Sequence, residues 1–462
     1  MIELPPIGDI QDALQSLVDG GAEFAELFFE SKLVHSIRCE DMRIDRMSSD
    51  RDVGFGLRVI TGNRTVYGYS NILKKEEIFR LGEAVLGNLE KGEGSVKHLG
   101  VLSPGTCLGI SIPTEDVPLE EKIRLTLDSE KIARGVSGEI TQVRVNYTDL
   151  VQEVRIFNSE GVAAGDDRRQ LVFTIRSIAG DGADIQSAYR SIGGRRGFEF
   201  LDRDAIRALA VESGESAVRT LHADRAPAGA MTVVLASEAG GTMVHEAIGH
   251  GLEGDAAEKG LSIYSGKKGE KVASEMITVV DDATLQGARG SYNCDDEGVP
   301  AQKTVPVENG LLKCYLLDRR IARKEGLTST GNGRRQDFRY RPIVRMSNTM
   351  IAPGEHDPGE IIESVENGLY VVRMGGGQVD TSSGDFVFKV NEAYLIKKGK
   401  VTKPVRGATL IGNGPSVLGD IDMVGSDLGF DIGTCGKDGQ QVPVSDAQPT
   451  LRIPGITVGG EV

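Results

Sequence analysis

Two histidines flank a glutamate in the stretch MVHEAIGHGLEGD, residues 243–255, of a chain that contains only 6 histidines. His245, Glu246 and His250 form the pattern H-E-x-x-x-H, one residue longer than the H-E-x-x-H of helical zinc proteases. Imidazole nitrogens bind zinc, and a neighbouring glutamate can serve as the general base of a hydrolysis. The pattern therefore indicates metal-assisted hydrolysis, provided that the longer spacing still lets the two imidazoles meet.

The spacing of the two histidines tests that interpretation. Residues five apart on an α-helix lie about 140° apart around the axis, so their side chains point away from each other. A π-bulge, with hydrogen bonds between residues five apart, would bring them together. A helix that ends at Gly249 would also do so, because Gly249 and Gly251 permit a turn that returns His250. Without a metal, the pair would be two hydrogen-bonding histidines at a helix end.

A zinc hydrolase needs a third protein ligand and an open position for water. Glu253 and Asp255 follow the motif directly and are candidates. Among the 5 cysteines, Cys294 lies in the polar loop NCDDEG and is a weak candidate. Cys435 lies in IGTCGKDGQ, where glycines let the backbone approach closely and favour an exposed thiolate. These residues leave the choice of third ligand open.

The remaining three cysteines are not candidate metal ligands. Cys39 and Cys314 alternate with apolar neighbours, which predicts core positions. Cys107 lies in the turn-like PGTCLG. Cysteines that are few, odd in number and unevenly spaced argue against a disulfide framework and favour a reducing compartment, for which we expect the cytoplasm.

The charge balance bounds the classes of partner. The chain has 53 basic and 68 acidic residues, a formal net charge of −15 and an isoelectric point near 5.1. Binding to nucleic acid or to an anionic membrane surface relies on positive charge, so both partners are disfavoured. No apolar run approaches the length of a membrane span. Five arginines lie in GRRQDFRYRPIVR, residues 333–345, where we expect a salt-bridged face or arginines that hold a substrate carboxylate.

Length and periodicity predict an α+β protein of two domains, since 462 residues exceed what one hydrophobic core usually supports. We expect an N-terminal α/β domain over residues 1–222, with a mixed sheet and flanking helices. We expect a C-terminal β-rich domain over residues 231–462 that carries a metal-binding helix. HADRAPAGA, residues 222–230, would be the linker between them.

Local patterns predict the N-terminal elements. Asp9 would cap a first helix that ends at Gly20. Alternating apolar residues predict two strands, and Gly62-Asn63 predicts a tight turn into the next. Further helices are expected around residues 78–86, 119–133 and 204–221, with three or four strands over residues 140–200. In the C-terminal part we expect a strand at MTVVLAS, hairpins at VENGLLKCYLL and LIKKGKV, and one short helix from Asp357-Pro358.

The C-terminal part resembles the TldD branch of the TldD/PmbA family of metalloproteases, most densely over about residues 231–457. The blocks that carry the resemblance are HEAIGHGLEGD, DDEGVPAQ, GNGRR, VRMSNT, GGGQVD, EAYLI, TKPVRGATLIGNG and CGKDGQ…VPV…QPTLRI. The resemblance implies that His245, His250 and Cys435 are the zinc ligands and that Glu246 is the catalytic glutamate. The pattern is intact, unlike that of the family's degenerate partner subunit.

The resemblance also implies an activity and a setting. Such proteins are zinc-dependent peptidases that cleave unstructured peptides, such as leader segments of modified peptide antibiotics and an antitoxin. They act in the cytoplasm as dimers, often pairing with an inactive PmbA-like (TldE) chain. For this chain we expect a homodimer or such a heterodimer. We further predict that Arg345 and Tyr340 stabilise the oxyanion. The alternative is a non-catalytic regulatory or assembly subunit with a structural zinc, in which Glu253 or Asp255 closes a four-ligand site.

Overall fold

The computed structural model describes residues 2–88, 92–106 and 109–460, and it confirms the predicted α+β class. Among the described residues up to 221, four α-helices accompany one seven-stranded sheet. The helices are α1 Ile7–Asp19, α2 Lys75–Leu86, α3 Leu119–Arg134 and α4 Arg203–Leu221. The strands are β1 Phe24–Glu40, β2 Arg43–Thr61, β3 Arg64–Ser70, β4 Ser103–Gly105, β5 Ile140–Asn158, β6 Ala163–Gly180 and β7 Ile185–Gly194.

The N-terminal sheet has the order β3-β2-β1-β5-β6-β4, and β7 also pairs with β6. Every pairing is antiparallel except that of β4 with β6, so the sheet is mixed, as predicted. Gly62 and Asn63 join β2 to β3, which confirms the predicted turn. Residues 140–194 supply three strands, within the predicted number.

The first helix begins earlier than predicted. Pro6 occupies the N-cap position, so α1 starts at Ile7 and Asp9 lies within the first turn rather than capping it. A proline before the first turn suits this start because its fixed φ and missing N–H cost a helix nothing there. Gly20 ends the helix as expected. The last helix of this part, α4, has Asp202 as a side-chain cap that accepts from the backbone N–H groups of Asp204 and Ala205.

The two faces of the N-terminal sheet differ in chemistry. On β1, Leu27 and Phe29 pack with α1 and α2 in an apolar cluster. Successive residues of a strand point to opposite faces, and the other face carries Glu26 and Glu30. There a buried ion-pair network joins the sheet to the later part of the chain, and its members are Glu26, Arg58, Glu297 and Arg335.

Beyond α4 the chain is rich in strands, as predicted. The helices are α5 Thr242–Val244, α6 Gly254–Glu258, α7 Arg319–Glu325, α8 Pro358–Glu363 and α9 Gly414–Asp420. The strands are β8 Asp224–Arg225, β9 Gly229–Leu235, β10 Val279–Asp282, β11 Lys303–Glu308, β12 Leu311–Leu312, β13 Gly333–Arg334, β14 Ile343–Val344, β15 Asn348–Ile351, β16 Asn367–Val379, β17 Asp385–Lys397, β18 Lys400–Arg406, β19 Thr409–Asn413, β20 Met423–Val424, β21 Gly429–Lys437, β22 Gln440–Gln448 and β23 Leu451–Gly459.

One sheet of this part closes on itself. Its order is β16-β9-β23-β19-β17-β18-β8, and β16 also pairs with β17, so five strands form a ring. The apolar residues of the ring join the largest buried cluster, which also contains Val244 and Ile248 from the histidine motif. The ring is therefore the support on which the motif is packed.

A six-stranded sheet lies beside the motif, in the order β12-β11-β10-β15-β22-β21. β21 ends that order and pairs antiparallel with β22. Both predicted hairpins are present: β11 and β12 meet at Asn309 and Gly310, and β17 and β18 meet at Lys398 and Gly399. All four turn residues have positive φ, as a two-residue hairpin turn requires.

The predicted linker is not free of structure. β8 pairs with β18, and β9 begins at Gly229, so residues 222–230 already take part in the C-terminal sheet. The division into domains at residues 222 and 231 stays a prediction. Within the described ranges, no helix is long and apolar enough to cross a membrane.

Candidate metal centre

The histidine motif forms one π-helical turn, His245–Gly249, between α5 and a short 3-10 turn, His250–Leu252. The backbone N–H of His250 donates to the carbonyl of His245, five residues earlier. This is the first of the two arrangements that the sequence left open. The additional residue of H-E-x-x-x-H is absorbed by the wider turn, so both imidazoles project to the same side.

The glycines of the motif are required by packing and not by an unusual φ. Gly249 has helical φ and ψ of −54° and −53°. A Cβ at this position would lie 2.3 Å from Sδ of Met346, and one at Gly251 would lie 2.6 Å from the ring of Tyr264. The expectation that these glycines permit a returning turn is therefore wrong. They let neighbouring side chains approach the motif closely.

The two histidines and Cys435 converge although 185 residues separate His250 from Cys435. The ligand atoms of the three residues all lie within 4.8 Å of one another, and Sγ of Cys435 is 3.5 Å from Nε2 of His250. The imidazole centroids are 4.9 Å apart, with nearly perpendicular planes. We refer to His245, His250 and Cys435 as the donor cluster.

Each histidine is oriented by a carboxylate on its other ring nitrogen. Nδ1 of His245 lies 2.7 Å from Oδ1 of Asp446, and Nδ1 of His250 lies 2.9 Å from Oε2 of Glu253. Histidines that bind metals usually donate the second ring N–H in this way, which fixes the tautomer and raises the basicity of the free nitrogen. Both Nε2 atoms are thereby available for the point where the cluster converges.

Cys435 lies in the middle of β21 and is 4% exposed, so the expected exposed turn thiolate is wrong in its setting. Burial on its own raises the pKa of the Cys435 thiol. Hydrogen bonds from His245 and His250, together with their charges, outweigh burial and lower that pKa to about 5. The cluster thus favours a thiolate, the form of cysteine that binds metals.

Glu246 lies beside the donor cluster without belonging to it. Its side chain is 26% exposed, and Oε2 is 4.0 Å from Nε2 of His250. Burial raises the pKa of Glu246, against the lowering effect of both histidines. A carboxylate next to the convergence point that is still reached by solvent can exchange a proton with a bound water.

The alternative third ligands are occupied elsewhere. Lys437 Nζ lies 3.0 Å from Oε2 of Glu253 and 2.6 Å from Oδ1 of Asp255, and it also donates to the carbonyl of Val344. Cys294 is buried against apolar residues that include Phe28. Neither the two carboxylates nor Cys294 belongs to the donor cluster.

Two of the remaining cysteines have the surroundings of packed side chains. Cys39 is fully buried, as predicted, and Cys314 is half-buried, with Sγ facing the carbonyl of Val305. Cys107 lies outside the described residues.

The arginine-rich stretch holds strands together through buried contacts. Arg345 is fully buried and donates to the backbone carbonyls of Cys435, at 2.5 Å, and of Gln440. These contacts place its guanidinium on the strand that carries the thiol. Arg335 belongs to the ion-pair network, which accords in part with the predicted salt-bridged face. Tyr340 is half-buried, and in the described chain no hydrogen bond joins its hydroxyl to the donor cluster.

Sequence reasoning missed Asp446 and Lys437. Asp446 follows Val442 and Val444 on one face of β22, so an acidic residue that continues an apolar strand face was the available signal. Lys437 lies two residues after Cys435 and therefore shares its face of β21. No spacing rule links either residue to the histidine motif, because the contacts depend on strands that are far away in sequence.

The chain is similar along its length to known metallopeptidases. Three family models match the chain: PmbA/TldA metallopeptidase domain 1 over residues 25–88, the central domain over 112–221 and the C-terminal domain over 228–460. A metalloprotease TldD homolog of Haemophilus influenzae is 40% identical over 95% of this chain and 93% of its own length. A metalloprotease of Methanothermobacter thermautotrophicus is 38% identical over 96% of this chain and 97% of its own.

The fold is found in a solved structure as well. TldE from Thermococcus kodakarensis superposes with a TM-score of 0.74 at 18% identity, covering 98% of this chain and all of that one. At that identity the likeness concerns the fold alone. Together with the family models and the curated relatives, the comparisons establish that the chain belongs to the TldD/PmbA family of metalloproteases.

Proposed function

We propose that the protein is a zinc-dependent peptidase that hydrolyses unstructured peptides. The observation that carries the proposal is the convergence of two imidazole nitrogens and a cysteine thiolate, with the Glu246 carboxylate beside them. Metalloprotease relatives imply a metal. The remaining steps concern which metal these donors suit, which proton the glutamate moves and which substrates reach it.

The donor set fits zinc. Two neutral imidazoles and one thiolate are ligands that Zn²⁺ prefers, and catalytic zinc sites use three protein ligands and leave one position open. His245, His250 and Cys435 would hold the ion, and Asp446 and Glu253 already orient the two imidazoles for it. Bound zinc supplies a Lewis acid that lowers the pKa of a water and polarises a carbonyl.

Glu246 is the proposed general base. One of its carboxylate oxygens accepts a proton from the attacking water as the new C–O bond forms at the scissile carbonyl. The same oxygen then passes the proton to the amide nitrogen as the C–N bond breaks. The raised pKa of Glu246 supports this role, because a carboxyl group moved toward neutral pH both accepts and releases a proton readily.

Two further residues are proposed to position the cluster. Arg345 holds the backbone of Cys435, and Lys437 balances the charge of Glu253 behind His250. The oxyanion role predicted for Arg345 and Tyr340 receives no support from their contacts. Arg345 is better explained as a positioning residue for the strand that carries the thiolate.

The first experiment is elemental analysis followed by the variant Glu246→Gln. We expect about one zinc per chain, and a fall in peptide cleavage of about 10²–10⁴-fold in the variant with the metal retained. Glu275→Gln, at a glutamate that is 80% exposed, is the matched control and leaves cleavage unchanged. A fully active Glu246→Gln protein would remove this residue from the mechanism.

The position of β21 supports extended peptides as substrates. β21 carries Cys435 and ends the order of its sheet. An extended chain can add to such an edge through its backbone, a mode that accepts many sequences and excludes folded proteins, whose strands are already paired. Leader segments of modified peptides and antitoxins are substrates of this kind.

Comparison of one protein in two states tests the substrate class. A disulfide-bonded protein should resist cleavage when native and be degraded after reduction and alkylation, and a chelator should stop that degradation. Equal rates on both forms would contradict the restriction to unstructured chains.

We also propose that the protein forms a dimer, either with a second copy of this chain or with a PmbA/TldE-like subunit. Sedimentation of the chain alone and of the mixture distinguishes the two.

The rival function is a regulatory subunit with a structural zinc. It requires a fourth protein ligand, for which Glu253 and Asp255 were the candidates. Lys437 engages both carboxylates and Glu253 also contacts His250, an arrangement that favours an open fourth position. Chelator-sensitive cleavage of a peptide by the pure chain separates the two functions.

A further inference from the structure

A second site lies between the N-terminal sheet and the strands that carry Cys435. It is a cavity with a volume of about 340 Å³, within the range of small-molecule pockets. Its charged lining consists of Lys32, Arg168, Arg289, Arg334, Arg335 and Asp296. Five cations and one carboxylate thus meet in a chain whose net charge is −15.

Two of these cations are neutralised by neighbours. Arg168 lies 3.0 Å from a carboxylate oxygen of Asp166 and 2.8 Å from one of Asp296. Arg335 lies 2.6 Å from Glu26 within the ion-pair network. They belong to the structural pairing between the two parts of the chain and leave no charge for a ligand.

Arg289 and Arg334 have no such partner. In the described part of the chain no carboxylate lies within ion-pair distance of either guanidinium. Nη2 of Arg289 donates to the hydroxyl of Thr434 at 3.2 Å, and its Nε is buried without a hydrogen-bond partner. Arg334 is 6% exposed and donates to the backbone carbonyls of Met346 and Pro443. Burial lowers the pKa of both guanidinium groups.

The two unpaired arginines line the same cavity. Thr434, which anchors Arg289, and Pro443, which anchors Arg334, are directly opposite partners on β21 and β22. Both arginines are therefore tied to the same part of the hairpin formed by β21 and β22, which we call the ribbon. Lys32, from β1, lines the same cavity. Arg334 is buried and Arg289 is half-buried. A desolvated cation without a counter-charge is costly, so two such cations in one cavity favour a negative partner.

We propose that this cavity binds a compact oxyanion, the phosphate or carboxylate group of a small molecule, through Arg289, Arg334 and Lys32. Planar guanidinium groups match both oxyanions with paired hydrogen bonds. The donors of Gln152, Gln170 and Ser291, which also line the cavity, are bonded to protein acceptors, so the recognition rests on the three cations.

This site is distinct from the donor cluster. Side chains alternate along a strand, so Thr434 lines the cavity while its neighbour Cys435 faces the other side of the ribbon. Cys435 and Val442 pack together in a separate buried cluster. An anion in the cavity would therefore contact the face of the ribbon opposite to Cys435. It would link the ribbon to β1 and β6 without touching the donor cluster.

Calorimetric titration of the full chain with its metal tests the proposal, using inorganic phosphate and succinate at constant ionic strength. We expect one saturable site for at least one of them, weakened about tenfold or more in Arg289→Gln. The relative affinities of the two anions identify the preferred group. Arg207→Gln, at an exposed arginine of a different cavity between α3 and α4, is the control and leaves binding unchanged.

A second measurement separates ligand binding from a structural role. Without added oxyanion, Arg289→Gln should unfold at the same or a higher temperature than the wild type, because it removes a half-buried charge that has no counter-charge. A lower unfolding temperature would mean that Arg289 is structural. Binding that persists unchanged in Arg289→Gln, or saturable binding of neither anion, would also overturn the proposal. Neither readout depends on peptide cleavage, so failure here leaves the proposed peptidase function untouched.

Discussion

Two buried clusters of charged and polar side chains differ in how their charges are arranged. In the ion-pair network, Glu26 and Glu297 alternate with Arg58 and Arg335, with oxygen–nitrogen distances of 2.6 Å. In the donor cluster, two imidazole nitrogens and a thiolate face one point, and no side chain of opposite charge fills it. Burial is common to both, so burial does not distinguish them.

The comparison shows which arrangement indicates chemistry. In the network each carboxylate forms an ion pair with a guanidinium. The charges of Arg58 and Arg335 outweigh burial and lower the pKa of Glu26. In the donor cluster the carboxylates of Asp446 and Glu253 stand behind the imidazoles. Imidazole nitrogens and a thiolate that converge on one point, with carboxylates placed outside, form an arrangement suited to a cation. Removing one member should therefore have different consequences in the two clusters.

The largest effect is expected from Cys435→Ser in the donor cluster. The serine hydroxyl is a poor zinc ligand, so we expect the variant to lose its bound metal and its cleavage activity. The fall in activity should exceed the about 10–100-fold that follows when a metal ligand loses its outer hydrogen-bond partner. Metal binding also closes a loop of 185 residues, so the unfolding temperature should fall together with the metal content. Elemental analysis and thermal unfolding of the same sample measure both.

The matched control is Cys294→Ser, the same substitution at another buried cysteine outside the donor cluster. It should retain the wild-type metal content whatever its effect on stability. If Cys435→Ser kept both the metal and the unfolding temperature of the wild type, the third ligand would have to be sought at Glu253, Asp255 or Cys294.

The corresponding change in the network is Arg58→Met. It leaves Glu297 buried without its cation and weakens the pairing of Glu26, so we expect a loss of about 3–5 kcal/mol in the free energy of unfolding. Metal content should not change. Urea unfolding measures the loss. The double variant Arg58→Met/Glu297→Gln should recover part of it, because the unpaired charge is then removed as well. A single-variant loss below about 1 kcal/mol would mean that water or rearrangement replaces the pair.

The sequence predicted the local parts of both regions. The H-E-x-x-x-H motif, the two hairpins and the N-terminal helices follow from short-range patterns, and Gly62-Asn63 marks its turn correctly. The choice between a π turn and a helix end was left open because it depends on packing: Met346 and Tyr264, far along the chain, contact the backbone at Gly249 and Gly251. Local geometry alone contains no such neighbours.

The rest depends on strand pairing over long separations. Glu253 and Asp255 were candidate ligands because they directly follow the motif. In the folded chain Lys437, on β21, forms ion pairs with both carboxylates. Cys435 looked like a turn residue between glycines, yet it lies within a strand opposite Val442. The resemblance to a family pointed to Cys435 as the third ligand, a choice that spacing left open, because family motifs record contacts made only in the folded chain.

The smallest effect should come from Glu30, which shares the network's face of β1 but has no basic partner within ion-pair distance among the described residues. Burial raises the pKa of Glu30 to about 7, against hydrogen bonds from Gln152 and the backbone of Phe338 and the charge of Lys32. Because this folded-state pKa exceeds the ordinary value of 4.5, the group's favourable contribution is complete below pH 4.5 and is lost as the pH rises to about 7. That change amounts to about 3 kcal/mol.

Urea unfolding at pH 5 and pH 8 should therefore show a larger loss in the free energy of unfolding in the wild type than in Glu30→Gln, while the exposed Glu275→Gln behaves like the wild type. Equal losses in all three proteins would mean that Glu30 is ionised and solvated at both pH values. The ion pairs of the network would then not explain a difference in pKa between Glu26 and Glu30.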